Sequence, residues 1–120
     1  MKVLIPMLSG EEGNAEFMKR ATKGAKEIVL QLVVDATGTN KFGFAASEIA
    51  HGNELMEGIK SKLQGKTVDT VLEWGETERK IENLAKLQRV DKVVMVKQDN
   101  QYFKNLVKSL KEANIPVEVV

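Results

Sequence analysis

The residues that could do chemistry in this chain are concentrated in two short stretches. The first combines a hydroxyl, glycines, carboxylates and an amide in consecutive positions: Ser9, Gly10, Glu11, Glu12, Gly13 and Asn14. The second contains Lys97 and Asp99. Backbone N–H groups in a glycine-containing turn before a helix can bind an anion. Because two acids in one turn discourage an anion, we interpret the first stretch as a solvated turn that ends in a helix cap.

Carboxylates also follow other apolar runs, at Asp35, Glu76 and Asp99. Acids that converge at the carboxyl edge of a sheet could hold Mg²⁺. Such residues are more often helix caps that interact favourably with the helix dipole. We therefore predict no metal site.

Three further patterns also favour a structural interpretation. His51 and Ser9 could act as base and nucleophile of a hydrolase, but no third, orienting group is evident from spacing. Trp74 could stack on a ligand ring, but a lone aromatic residue more often closes the edge of a core. Thr37-Gly38-Thr39-Asn40 is typical of an irregular loop. We predict no catalytic residue.

The composition excludes several classes of protein. The chain has 120 residues, which is the usual size of one domain, so we predict a single domain over residues 1–120. Its 18 basic and 17 acidic residues give a net charge of +1, which argues against a nucleic-acid partner. There is no apolar run of about 18 residues, as a membrane helix requires. Zero cysteines suit a reducing compartment, and we expect a cytoplasmic protein.

The hydrophobic pattern predicts alternating strands and helices. Aliphatic runs that indicate buried strands lie at Val3–Ile5, Ile28–Val34, Val68–Trp74, Val93–Val96 and Val117–Val120. Helical periodicity separates them, over Glu12–Lys26, from about Ile49 to Gly65, after a cap at Thr77, and after a cap at Asp99. Strict alternation predicts a three-layer α/β domain with a five-stranded parallel sheet. Strand orders 3-2-1-4-5 and 2-1-3-4-5 both remain open at this point.

Four segments together resemble the universal stress protein family. They are Lys2-Val3-Leu4-Ile5-Pro6, Gly75-Glu76, Asp91 to Val96, and the closing Ile115 to Val120. The resemblance implies an adenine nucleotide alpha hydrolase-like fold with strand order 3-2-1-4-5. It also implies a crevice between the loops after strands one and four, where the candidates Ser9 to Asn14, Lys97 and Asp99 would lie.

The chain departs from the family pattern where members of the family bind ATP. Those members carry an Asp after the Pro of strand one and a glycine-rich loop after strand four. Here Leu8 stands in place of the Asp, and Lys97-Gln98-Asp99-Asn100-Gln101 replaces the loop. The acids Glu11, Glu12 and Asp99 would also repel a triphosphate. The resemblance therefore implies a member that lacks the ATP-binding glycine motif, and we expect no cofactor.

The resemblance also implies a homodimer that pairs through the last strand, at Val117, Glu118, Val119 and Val120. The leading hypothesis is a small, non-catalytic regulatory or stress-response module that senses a small ligand or docks to another protein. One alternative is a nucleotide-binding or metal-phosphate-binding protein or enzyme that uses the same crevice. Another is a receiver-like or flavodoxin-like signalling domain with strand order 2-1-3-4-5.

Overall fold

A computed structural model describes residues 1–35 and 48–120 of the chain. Within these ranges the elements are β1 (Lys2–Pro6), α1 (Ala15–Ala21), β2 (Glu27–Val34), α2 (Ile49–Lys62), β3 (Thr67–Trp74), α3 (Thr77–Leu87), β4 (Lys92–Met95), α4 (Gln101–Glu112) and β5 (Val117–Val119). The strands form one parallel sheet in the order β3-β2-β1-β4-β5. This confirms the predicted α/β class and the order 3-2-1-4-5, and it excludes the order 2-1-3-4-5.

The helices cover both faces of the sheet and bury its central strands. On one face α1 and α2 pack against side chains that include Val3 and Ile5 of β1. On the other face α3 and α4 pack against side chains that include Leu4. Because β1 lies between β2 and β4, the chain leaves β1 toward one face and leaves β4 toward the other. The two loops therefore diverge, which is where ligands of open α/β sheets usually bind.

Helix α1 is shorter than the predicted segment Glu12–Lys26. It starts after Asn14, whose Oδ1 accepts hydrogen bonds from the N–H groups of Glu16 (3.0 Å) and Phe17 (3.2 Å). The residues before Asn14 form a turn instead of a first helical turn. The helix ends at Ala21, and Gly24 follows at φ +77°, a left-handed conformation that terminates helices.

The predicted caps at Thr77 and Asp99 are each displaced by one residue. Glu76 is the N-cap of α3, and Thr77 is already the first helical residue. Asn100 is the N-cap of α4, where its Oδ1 accepts a 2.8 Å hydrogen bond from the N–H of Phe103. Adjacent Asp and Asn residues are both good caps, so the sequence pattern could not choose between them.

Replacing Asn100 with alanine tests this assignment. The change removes the acceptor for the Phe103 N–H, and we expect it to lower the free energy of unfolding by about 1 kcal/mol. Asp99→Ala is the matched control, because Asp99 only forms an exposed ion pair, with Lys104, and should change stability by less than about 0.5 kcal/mol. Chemical denaturation would measure both. Equal losses would contradict the assignment of the cap to Asn100.

Two glycines within α2 occupy different environments. Helix α2 begins at Ile49, as predicted, and continues through Gly52 and Asn53. A Cβ atom on Gly52 would lie 2.5 Å from the Leu32 Cδ2 atom of β2. A Cβ atom on Gly58 would meet nothing within 4 Å. Gly52 therefore permits α2 to approach the sheet closely, whereas Gly58 does not have this role.

Alanine substitutions at the two positions should have opposite effects. Gly58→Ala should raise the free energy of unfolding by about 0.5 to 1 kcal/mol, because alanine favours the helix. Gly52→Ala gains the same propensity but collides with Leu32, a fully buried residue, and should lower the free energy of unfolding by about 1 kcal/mol overall. Urea unfolding of the pair measures the difference. Stabilisation by both substitutions would contradict the close approach at Gly52.

Candidate functional site

The turn between β1 and α1 is organised around the Glu12 carboxylate. Its Oε2 accepts hydrogen bonds from the N–H of Leu8 (3.3 Å), the N–H of Ser9 (3.0 Å) and the Ser9 hydroxyl (2.7 Å). Its Oε1 accepts a 2.9 Å hydrogen bond from the N–H of Gly10. Glu12 is only 1% exposed. The expectation that this acid is solvated and lies at the mouth of a crevice was therefore wrong.

The local sequence allows the chain to fold around this carboxylate. Gly10 has φ +82°, a conformation that a residue with a side chain rarely adopts. The Ser9 hydroxyl, besides donating to Glu12, accepts a 3.0 Å hydrogen bond from the N–H of Glu11. Consecutive N–H groups that point into one concavity form an anion-binding site. Here the anion in that site is the side chain of Glu12 itself.

The other residues of the first stretch have structural roles or are exposed. Glu11 is exposed, and Asn14 caps α1. Gly13 lies against α2, because a Cβ atom there would come within 3.0 Å of the Leu55 Cδ1 atom.

The loop between β4 and α4 is tied to the end of β5. The Lys97 N–H donates a 3.0 Å hydrogen bond to the Val120 carbonyl oxygen, and the Val120 N–H donates at 3.0 Å to the Met95 carbonyl oxygen. Asp99 forms an ion pair with Lys104 at 3.7 Å, and their side chains are 96% and 62% exposed. Such exposed pairs contribute little to stability.

A pocket of about 260 Å³ opens beside this loop, between α4 and the end of β5. Its lining consists of Lys97, Gln98, Asp99, Phe103, Lys104, Val107 and Val119. The structure thus groups the predicted candidates into two separate sets. Hydrogen bonds join Ser9, Gly10, Glu11 and Glu12 to one another, whereas Lys97 and Asp99 line a pocket with residues of α4 and β5. Phe103 and Val107 were not expected to line a site, and Val119 was expected only at a dimer interface.

The remaining candidates lie apart from these two sets. His51 is exposed on α2, and Asp35 is partly buried after β2. Trp74 is 52% exposed on β3, so the expectation that it closes the core was wrong. The loop candidate at residues 37–40 lies outside the described residues.

Within residues 1–35 and 48–120, no three His, Asp or Glu side chains are grouped closely enough to hold a metal ion. Over the same ranges, no helix has the length and apolar character required to cross a membrane.

No protein-family model matches the sequence, and a comparison with curated proteins finds no significant match. Solved structures do match over nearly the whole chain. A hypothetical protein whose biochemical function was assigned from its structure is 24% identical, with a TM-score of 0.67 over 99% of this chain and 94% of that one. A universal stress protein solved in complex with cAMP is 11% identical, with a TM-score of 0.68 over 100% of this chain and 95% of that one.

A member of the universal stress protein family from Burkholderia pseudomallei is 17% identical, with a TM-score of 0.68 over 99% of this chain and 94% of that one. These likenesses show the fold of the chain. The chain has the universal stress protein fold, as the four resembling segments implied.

Proposed function

We propose that the chain is a non-catalytic, universal-stress-type regulatory module that does not bind a nucleoside triphosphate between the loops after β1 and β4. The observation that carries this proposal is the buried Glu12 carboxylate, which accepts hydrogen bonds from three consecutive N–H groups. A phosphate group that used the same N–H donors would have to displace Glu12 from its protein partners. It would also leave a buried carboxylate without those partners, which is strongly unfavourable.

The loop after β4 adds independent support. A phosphate-binding loop needs glycines, because their backbone N–H groups can approach phosphate oxygens closely. The chain has no glycine after Gly75, and only five residues, from Val96 to Asn100, separate β4 from α4. The N–H groups after β1 thus already donate to Glu12, and the segment after β4 lacks glycines.

A nucleotide-binding protein is the second candidate. One structural neighbour was solved with cAMP, which favours a test with a cyclic nucleotide as well as with ATP. The metal-assisted form of this alternative has less support, since Glu12 is occupied by N–H donors and Asp99 is paired with Lys104.

Isothermal titration calorimetry of the full chain distinguishes the two candidates. ATP with Mg²⁺ and cAMP without metal would each be titrated into the protein. We expect no saturable heat at micromolar ligand concentration for either nucleotide. Saturable micromolar binding of ATP by the unmodified chain would overturn the proposal. Its loss in Glu12→Ala but not in Glu11→Ala would further make Glu12 a ligand-binding group.

We also propose that the module is a homodimer that pairs through β5. The Val120 N–H donates to Met95 of β4, and the Val120 C=O accepts from Lys97 just after β4. Successive residues of a strand alternate in direction. The N–H and C=O groups of Val117 and Val119 therefore point away from β4, at the free edge of the sheet. Unpaired groups on an edge strand favour pairing with another strand. A two-fold axis lets the same edge of a second copy provide that strand.

One antiparallel register uses all of these outward groups. It pairs Val117 of one copy with Val119 of the other, so the two-fold axis passes between the two copies of Glu118. Like charges opposite each other destabilise a sheet. The Lys92 ammonium group donates to Glu118 Oε1 within each copy, which offsets this repulsion.

The proposal includes a cytoplasmic location and excludes nucleic acid and membranes as partners. Zero cysteines suit a reducing compartment. The net charge of +1 provides no general attraction to a polyanion.

A further inference from the structure

We propose that the pocket between α4 and the end of β5 binds a small amphipathic carboxylate, with its apolar part inside and its carboxylate at Lys97. This inference rests on the proposed regulatory function: a ligand of this class would be the signal that the module senses. The pocket is formed by different residues from the turn that Glu12 fills, and its lining includes none of residues 9–14.

The interior of the pocket favours an apolar group. Phe103 is 4% exposed and forms part of the wall, and Val107 and Val119 complete the apolar surface. Val119 retains 39% exposure in one copy, and in the proposed dimer its backbone pairs with Val117 of the second copy, so the pocket opens beside the proposed interface. The pocket volume is about 260 Å³. This is slightly below the usual range of drug-sized pockets and favours a small ligand.

The charges at the rim favour an anion. The ammonium group of Lys104 forms an exposed ion pair with Asp99. Lys97 forms no ion pair with any carboxylate of residues 1–35 and 48–120. Its backbone is fixed by the bond to Val120, so the free ammonium group is attached to a rigid part of the rim. One positive charge at the mouth of an apolar pocket complements a single carboxylate with an apolar body.

Gln98, which also lines the pocket, has an unpaired donor behind the pocket surface. The N–H of Phe103 donates to Asn100 Oδ1, which fixes the Asn100 amide, and its Nδ2 then donates to Gln98 Oε1 at 3.2 Å. This orientation leaves Gln98 Nε2 buried and without a hydrogen-bond partner among the described residues. Because this atom is shielded from solvent, it would bond to a ligand acceptor only after the Gln98 side chain rotates into the pocket.

Octanoate is a suitable probe, with octylammonium as a control of the same chain length and opposite charge. Each would be titrated into the ¹⁵N-labelled full chain while amide chemical shifts are recorded. We expect octanoate to saturate with a Kd on the order of 0.1 to 1 mM and to shift the amides of residues 97–99, 103–107 and 119. Octylammonium should bind at least about tenfold more weakly.

Three variants locate the site. Lys97→Glu should weaken octanoate binding roughly tenfold, whereas Lys108→Glu makes the same charge change outside the pocket lining and should alter it less than about twofold. Val107→Trp should fill the pocket and abolish binding. Because this variant could affect folding, Lys97→Glu alone suffices to test the site.

Four outcomes would overturn the proposal: no saturable binding of octanoate at millimolar concentration, equally tight binding of octylammonium, equal effects of the two charge reversals, or chemical-shift changes away from the pocket. Sedimentation of the same samples identifies a competing occupant. If Val107→Trp dissociates a dimer while octanoate does not bind, a second copy of the chain covers this face. The result of the nucleotide titration does not depend on this pocket, because it depends on the turn after β1. The two proposals can therefore fail independently.

Discussion

Replacing Glu12 with alanine is expected to lower the free energy of unfolding by about 3 kcal/mol, and the Tm by roughly 10 °C. The change leaves three N–H groups and the Ser9 hydroxyl without their shared acceptor. Hydrogen bonds to a charged group contribute more than neutral ones, and the Glu12 residue that accepts them is only 1% exposed. Urea denaturation and a thermal scan would measure the loss.

Glu11→Ala is the matched control for this prediction. It removes an adjacent carboxylate from the same turn, but the Glu11 side chain is exposed and only its backbone N–H donates to Ser9 Oγ. We expect a change of less than about 0.5 kcal/mol. If both variants lost the same stability, the effect would arise from the net charge of the turn, and the structural role of Glu12 would be refuted.

Val119→Pro is expected to weaken dimerisation about a hundredfold while the protomer stays folded. Proline removes the N–H of Val119, which points to the free edge and does not bond to β4. In a two-fold symmetric dimer the loss occurs twice, which corresponds to about 2 to 3 kcal/mol. Sedimentation velocity over a range of concentrations would measure the change, and circular dichroism would confirm that the fold is retained.

Leu72→Pro on the opposite edge is the control. The Thr67 N–H donates to Lys26, just before β2, and the Gly75 N–H donates to Val34 of β2. By the same alternation the N–H of Leu72 points away from the sheet. Leu72 is 42% exposed on β3, the other edge strand. We expect Leu72→Pro to leave the association constant unchanged. A dimer lost in Leu72→Pro and retained in Val119→Pro would place the interface on β3.

The hydrophobic pattern of the sequence predicted which residues form strands. It did not predict the order of those strands in the sheet. Aliphatic runs such as Ile28–Val34 indicated buried strands, and β2 occupies nearly the same residues. Alternation left two strand orders open, and the family resemblance favoured the one that is observed. The exception within β2 is Gln31, a fully buried amide whose Nε2 donates to Glu73 and to the Lys80 carbonyl oxygen. In the sequence, the sign of this buried amide is a single glutamine within an aliphatic run.

The candidate site was less accessible to sequence reasoning, because its chemistry depends on the path of the backbone. Whether Glu12 is solvated or buried is decided by the turn at Gly10, which brings three N–H groups onto one carboxylate. The sequence Ser9-Gly10-Glu11-Glu12 permits that turn but does not require it. The pocket depends on how far α4 extends over β5, so Phe103 and Val107 could be identified only as an apolar stripe.

The most direct test of the account is hydrogen exchange at the amides of Leu8, Ser9 and Gly10, measured by NMR. In the unmodified chain these three amides donate to Glu12, and we predict that they are protected at least about tenfold relative to an unstructured peptide. We predict that Glu12→Ala abolishes this protection and that Glu11→Ala preserves it. Rapid exchange of all three amides in the unmodified chain would show that Glu12 does not occupy the turn, and would contradict the proposed exclusion of a nucleoside triphosphate.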